Sequence, residues 1–213
     1  MWYMQIILQD NAKYFKMLRD SRDEIRRQRD KAVPIGLGYR AMESWRGNYS
    51  LITYQKGAWI LHMLRNMLLD SRTMNEDRFK TMMHTFYTTY RGKRATTLDF
   101  QRVVEQSAGV PMDWFFDEWV YGTSVPTYTF AWTVAPGDNG KYVAHLRIKQ
   151  TDAPPTFAMY VPVRITFAEG EAFIRVLVRG PLTEQTITLP AEAKSMELSP
   201  FESVLASVKT EDW

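Results

Sequence analysis

The spacing of apolar residues changes period once along this chain, near Ser124, and that change limits the possible folds more than any other feature. Upstream, apolar side chains recur at three and four residues, the period of a one-faced helix. Downstream of Pro126 they alternate, as they must where successive side chains point to opposite faces of a sheet. Helices followed by strands define an α+β chain. The expected organisation is a helical bundle over residues 1–124 and an immunoglobulin-like β-sandwich over residues 125–213.

In the first half, Phe15, Leu18 and Ile25 predict a helix within 12–31. Phe79, Met82, Met83, Phe86, Tyr87 and Tyr90 predict a second, with Asn75 as its N-cap. Phe100, Val103 and Val104 predict a shorter helix stopped by Gly109. Pro111 suits the first turn of another over 112–121, closed by Gly122. The segment 57–69 is apolar nearly all round, from Ala58 and Trp59 to Leu68 and Leu69, which predicts a helix buried on several sides. In the second half, seven short alternating runs start at Tyr128, Tyr142, Val161, Phe173, Thr186, Ser195 and Val204. Turn signals such as Pro136-Gly137-Asp138-Asn139-Gly140 separate them, a spacing that indicates a β-sandwich.

Charge and cysteine usage narrow the chemistry. The 213 residues contain no cysteine, which excludes disulfides, thiolate nucleophiles and Cys-based metal sites. The absence fits either compartment, since exported proteins can also lack it. The net charge of +3 is uneven, with 19 Lys and Arg against 14 Asp and Glu in residues 1–122. The dense basic run Arg26-Arg27-Gln28-Arg29 with Lys31 could mark a nucleic-acid patch. Asp20, Asp23, Glu24 and Asp30 interleave with it and stacking aromatics do not, so it reads as a solvated helix face with no nucleic-acid partner. No apolar run approaches the roughly 20 residues of a membrane span. The start, Met1 to Leu8, lacks a basic n-region and a cleavage site. It is read as the inside of a helix whose upstream half is missing.

Most recognisable chemistries are absent from the pattern. The three histidines are His62, His84 and His145. Position 66 is Asn and position 88 is Thr, so neither helical histidine has a second imidazole one turn on, as His-Glu-x-x-His requires. No metal site can be assembled from local spacing. Asp117 and Glu118 are adjacent on a helix and point in different directions. The tyrosines are left. A phenol, with an ordinary pKa of roughly 10, is protonated at neutral pH and can donate to an oxygen that becomes negative as water attacks a peptide carbonyl. Tyr54 is placed where a helix begins, so it is a candidate; packing on the core is the alternative.

Several strings bear on that choice. Tyr54-Gln55-Lys56-Gly57-Ala58 is followed by Leu61-His62-Met63-Leu64-Arg65. Further on come Phe79, Tyr87, Tyr90 and Arg91, then Ala95-Thr96-Thr97-Leu98-Asp99-Phe100. Ser107-Ala108-Gly109-Val110-Pro111-Met112-Asp113-Trp114-Phe115-Phe116-Asp117-Glu118-Trp119 follows, and Gly122 and Pro126 lead into the strands. In this order they resemble the C-terminal part of the M1 family of gluzincin zinc aminopeptidases. The resemblance implies that Tyr54 is the catalytic tyrosine that steadies the tetrahedral intermediate. It implies that Tyr49 is a second, substrate-proximal tyrosine, that Gly57 allows close helix packing, and that Trp119 sits in the helical core. In the family, the zinc ligands and general base precede this tyrosine. The resemblance therefore implies a zinc cofactor and a peptide substrate for a longer parent, no metal ligand in this chain, and no activity of this chain alone. A non-catalytic M1-like scaffold or protein-interaction module is the competing expectation. The face left by a missing catalytic lobe, around Trp2, Tyr3, Ile6, Ile7 and Trp59, is expected to be apolar and to favour self-association.

Overall fold

A computed structural model of the chain describes residues 5–28, 33–37 and 49–213. It divides into two compact units, residues 1–123 and 124–213. Helices fill the first unit and strands the second, so the chain is α+β.

The first unit contains α1 (Asn11–Arg27), a 3-10 turn (Ile35–Leu37), a π-helix (Ser50–Lys56) running directly into α2 (Gly57–Leu68), α3 (Asp77–Tyr90), α4 (Thr97–Ala108) and α5 (Asp113–Trp119). Asp10 starts α1 by accepting the Lys13 N–H at 2.8 Å. The inner positions of α1 are Tyr14, Leu18, Ser21 and Ile25, a clean i, i+4, i+7, i+11 stripe. Phe15, expected on that stripe, is only half-buried. Within the basic run, Arg27 pairs with Glu24 along α1, while Arg29 and Lys31 lie outside the described residues. Helix α2 is buried as its composition demands: Trp59, Met63 and Leu64 are fully covered.

The ends of two helices and one stripe position differ from expectation. Asn75 lies outside the N-cap of α3, yet its Oδ1 still accepts the Asp77 N–H at 2.6 Å. The α3 stripe frays at Tyr87, which is 60% exposed. Eight residues from Phe79 is about 80° off the buried line in a 3.6-residue helix, and there Arg91 lies over the Tyr87 ring at 6.0 Å. Helix α5 is shorter than 112–121. Met112 is its N-cap and gives its N–H to Glu105 Oε1 at 3.0 Å, so Pro111 lies outside the helix. By contrast, Thr96 and Asp99 form a capping box on α4, and Gly109 ends it at φ 76°, a left-handed conformation that glycine adopts at little cost. Trp119 is fully buried with Phe115 and Phe116.

The second unit has seven strands: β1 (Thr127–Pro136), β2 (Tyr142–Thr151), β3 (Ala158–Thr166), β4 (Glu171–Arg179), β5 (Leu182–Leu189), β6 (Ser195–Leu198) and β7 (Ser207–Thr210). One sheet has the order β5-β2-β1-β7 and the other β4-β3-β6. All pairings are antiparallel except β1 with β7, which run parallel from Thr127↔Ser207 to Phe130↔Thr210. Alternation sets the buried faces. Ala144, Leu146 and Ile148 are covered in β2, and Met159, Val161, Val163 and Ile165 in β3. The last strand starts later than the run at Val204, because Val204, Leu205 and Ala206 form a buried approach to it.

Candidate functional site around Tyr54

The wide turn before α2 decides which side chains face out. Ser50–Lys56 is a seven-residue π-helix, a form with i→i+5 hydrogen bonds that occurs frequently at functional sites. Leu51 and Ile52 anchor it in the core. Tyr54 points outward and is 65% exposed. Among the described residues, its hydroxyl has no hydrogen-bond partner. The ring of Tyr49 meets that of Tyr54 edge-on, centroids 5.7 Å apart at 89°, a favourable aromatic geometry. The structure thus brings the two expected tyrosines together and leaves the Tyr54 hydroxyl in the open.

Two residues along, Lys56 does the opposite. It is 2% exposed, and its Nζ donates to the Gly122 carbonyl oxygen at 2.7 Å. Burial lowers its pKa from 10.5 to about 8. In the sequence Lys56 stands out only as a letter of the tyrosine motif. The signal was nevertheless present, since Ile52, Lys56, Trp59, Ile60 and Met63 share one helical face. Gly57 shows no close packing: a Cβ built there meets no atom within 4 Å among the described residues. That corrects the role implied by the resemblance. Trp59 is also corrected. It is fully buried, donating from Nε1 to the Leu18 carbonyl at 3.2 Å, and so is no part of an exposed face. Ile6 and Ile7 are exposed, and Trp2 and Tyr3 lie outside the described residues.

The histidines serve structure. His62 is buried with Nδ1 2.7 Å from the Tyr14 hydroxyl. Burial pushes the Tyr14 phenol above its ordinary value, against the opposing pull of Arg65. Asn66, one turn on, donates to the His62 carbonyl at 2.8 Å, and Thr88 does the same for His84 at 2.9 Å. His145 on β2 meets Thr186 on β5 at 2.9 Å. Tyr14, His62 and Arg65 line a cavity of about 210 Å³ together with the apolar Ala58, Leu61, Phe79 and Met83. Among the described residues, no three His, Cys, Asp or Glu side chains gather as metal ligands. The described residues therefore offer no ligand set that fits a zinc ion.

No protein-family model and no curated protein matches the sequence. In structure the chain is similar to an aminopeptidase A of Legionella pneumophila, solved in complex with aspartic acid. The TM-score is 0.59 at 17% identity, over 80% of this chain and 19% of that one. The likeness is one of fold. This chain spans about a fifth of that protein's length.

Proposed function

We propose that this chain is the part of an M1-type zinc aminopeptidase that carries the oxyanion-stabilising tyrosine, and that it does not hydrolyse peptides by itself. The observation that carries the reading is the outward Tyr54, 65% exposed on a π-turn whose other side is buried. The fold likeness to part of an aminopeptidase supports it. On this reading the helical unit is the C-terminal part of an M1 catalytic domain, and the strand unit is an immunoglobulin-like sandwich.

Tyr54 acts by donating its hydroxyl proton in a hydrogen bond to the carbonyl oxygen of a scissile N-terminal peptide bond. That oxygen gains negative charge as the carbon becomes tetrahedral, so the bond strengthens in the transition state. Tyr49, edge-on to it, limits the swing of the ring. Water activation belongs to residues outside this chain, where the parent would hold its zinc. The missing lobe is the natural partner of the helical unit, with self-association through Ile6 and Ile7 as the substitute.

Two observations test this reading. An in-frame His-Glu-x-x-His upstream of Met1 supports it; a promoter and start site at Met1 favours the non-catalytic scaffold instead. Zinc and an aminoacyl anilide added to this chain should give no turnover. Chelator-sensitive turnover would overturn the placement of the metal ligands elsewhere.

A further inference from the structure

Lys56 is a buried cation with a single anchor. Among the described residues no carboxylate pairs with it, and its one hydrogen-bond acceptor is the Gly122 carbonyl oxygen at 2.7 Å. An ammonium held away from water without a counter-ion is costly, so its placement calls for a compensating role. Its position supplies one. Lys56 closes the π-helix that carries Tyr54, and residues two apart on a helix lie on nearly opposite faces. Holding Lys56 inward therefore holds Tyr54 outward.

The acceptor end is equally constrained. At the end of α5 the chain folds back so tightly that a Cβ on Gly122 would lie 2.4 Å from the Glu118 carbonyl oxygen. Two residues earlier, the Val120 carbonyl accepts the Gly36 N–H at 3.0 Å. A Cβ on Gly36 would lie 2.5 Å from the Tyr121 ring. The segment Val120–Gly122 is thus clamped by a backbone donor on one carbonyl and the lysine on another. Cations suit the carbonyls at a helix end. The lowered pKa agrees with this burial, which is its cause among the described residues.

The geometry assigns Lys56 as a positioning residue: its Nζ, bonded to the Gly122 carbonyl, fixes the π-turn that presents the Tyr54 hydroxyl. The inference rests on Tyr54 being the working side chain. It is read by spectroscopy rather than turnover, so its failure and the failure of the peptidase reading are separable. In the full wild-type chain, the Lys56 ammonium protons should exchange with water about tenfold more slowly than those of exposed lysines, and show a nuclear Overhauser contact to Gly122. Exchange as fast as the exposed lysines would overturn the inference, and this arm needs no variant. In the second arm, 3-fluorotyrosine is placed at position 54, with position 87 on α3 as control. Lys56→Met keeps the stem and removes the donor. It should move the position-54 resonance and speed amide exchange across 50–56 about tenfold, leaving position 87 unchanged. Lys56→Arg, which keeps a donor, should stay near wild type. A folded K56M with wild-type resonance and exchange, or a K56R that behaves like K56M, would overturn it.

Discussion

Replacing Lys56 by methionine should change how the stability of the helical unit depends on pH. The free lysine titrates at 10.5, the folded one at about 8. Below pH 8 the side chain is protonated in both folded and unfolded chains, and the full cost of enclosing the ammonium weighs on the folded state. Between 8 and 10.5 the unfolded chain binds more protons than the folded one, so stability rises with pH across that window. Above 10.5 the cost is gone. At about 1.4 kcal/mol per tenfold, the gap corresponds to roughly 3 kcal/mol. Lys56→Met removes the titrating group, while the other lysines and the tyrosines titrate in both proteins and cancel in the difference. The variant should be close to wild type in stability, or above it, at pH 7, since replacing a buried charge with an apolar side chain of similar volume is often neutral or stabilising. The wild-type chain should then gain on it by roughly 3 kcal/mol by pH 10.5. Urea unfolding at stepped pH, followed by circular dichroism at the helical band, isolates the unit that contains Lys56. A wild-type minus variant difference that stays flat within about 1 kcal/mol across the window would refute the burial of a charged Lys56.

Further outcomes follow from the packing. Gly122→Ala should destabilise the helical unit by about 1–3 kcal/mol, because the new methyl meets the Glu118 carbonyl; thermal melts check it, and an unchanged midpoint would refute the tight fold-back. Trp119→Ala should cost about 3–5 kcal/mol, since the ring is fully buried, as read by denaturant unfolding. Light scattering at high concentration should show self-association that Ile6→Ser with Ile7→Ser reduces; a monodisperse wild-type monomer would count against a sticky N-terminal face.

The elements that sequence made legible are those set by local rules. Leu18 and Ile25 mark the inner side of α1, Thr96 and Asp99 cap α4, and Gly109 stops it at a left-handed φ. Alternation placed β2 and β3 because each residue type reports its own face. The π-turn was not legible: i→i+4 and i→i+5 bonding differ in the backbone, while the apolar stripe reads the same. Lys56 was missed because a lysine is almost never fully buried, although its helical neighbours were apolar. The Tyr14–His62 bond joins residues 48 apart in sequence, and no local pattern encodes such a meeting. Gly57 shows the reverse error, a glycine credited with a close contact that it does not make among the described residues.

Tyr54 itself was legible as a residue and illegible as a geometry. It is exposed on a π-turn whose Leu51, Ile52 and Lys56 are buried. The expected partner Tyr49 does stand beside it, edge-on at 5.7 Å.

The most direct measurement is aminoacyl-anilide hydrolysis by the protein expressed from the complete reading frame around this chain, comparing wild type with Tyr54→Phe. Loss of the hydroxyl donor should lower kcat by about 10²–10³ with KM little changed. A Tyr54→Phe protein that turns over at the wild-type rate would contradict the role given to that hydroxyl.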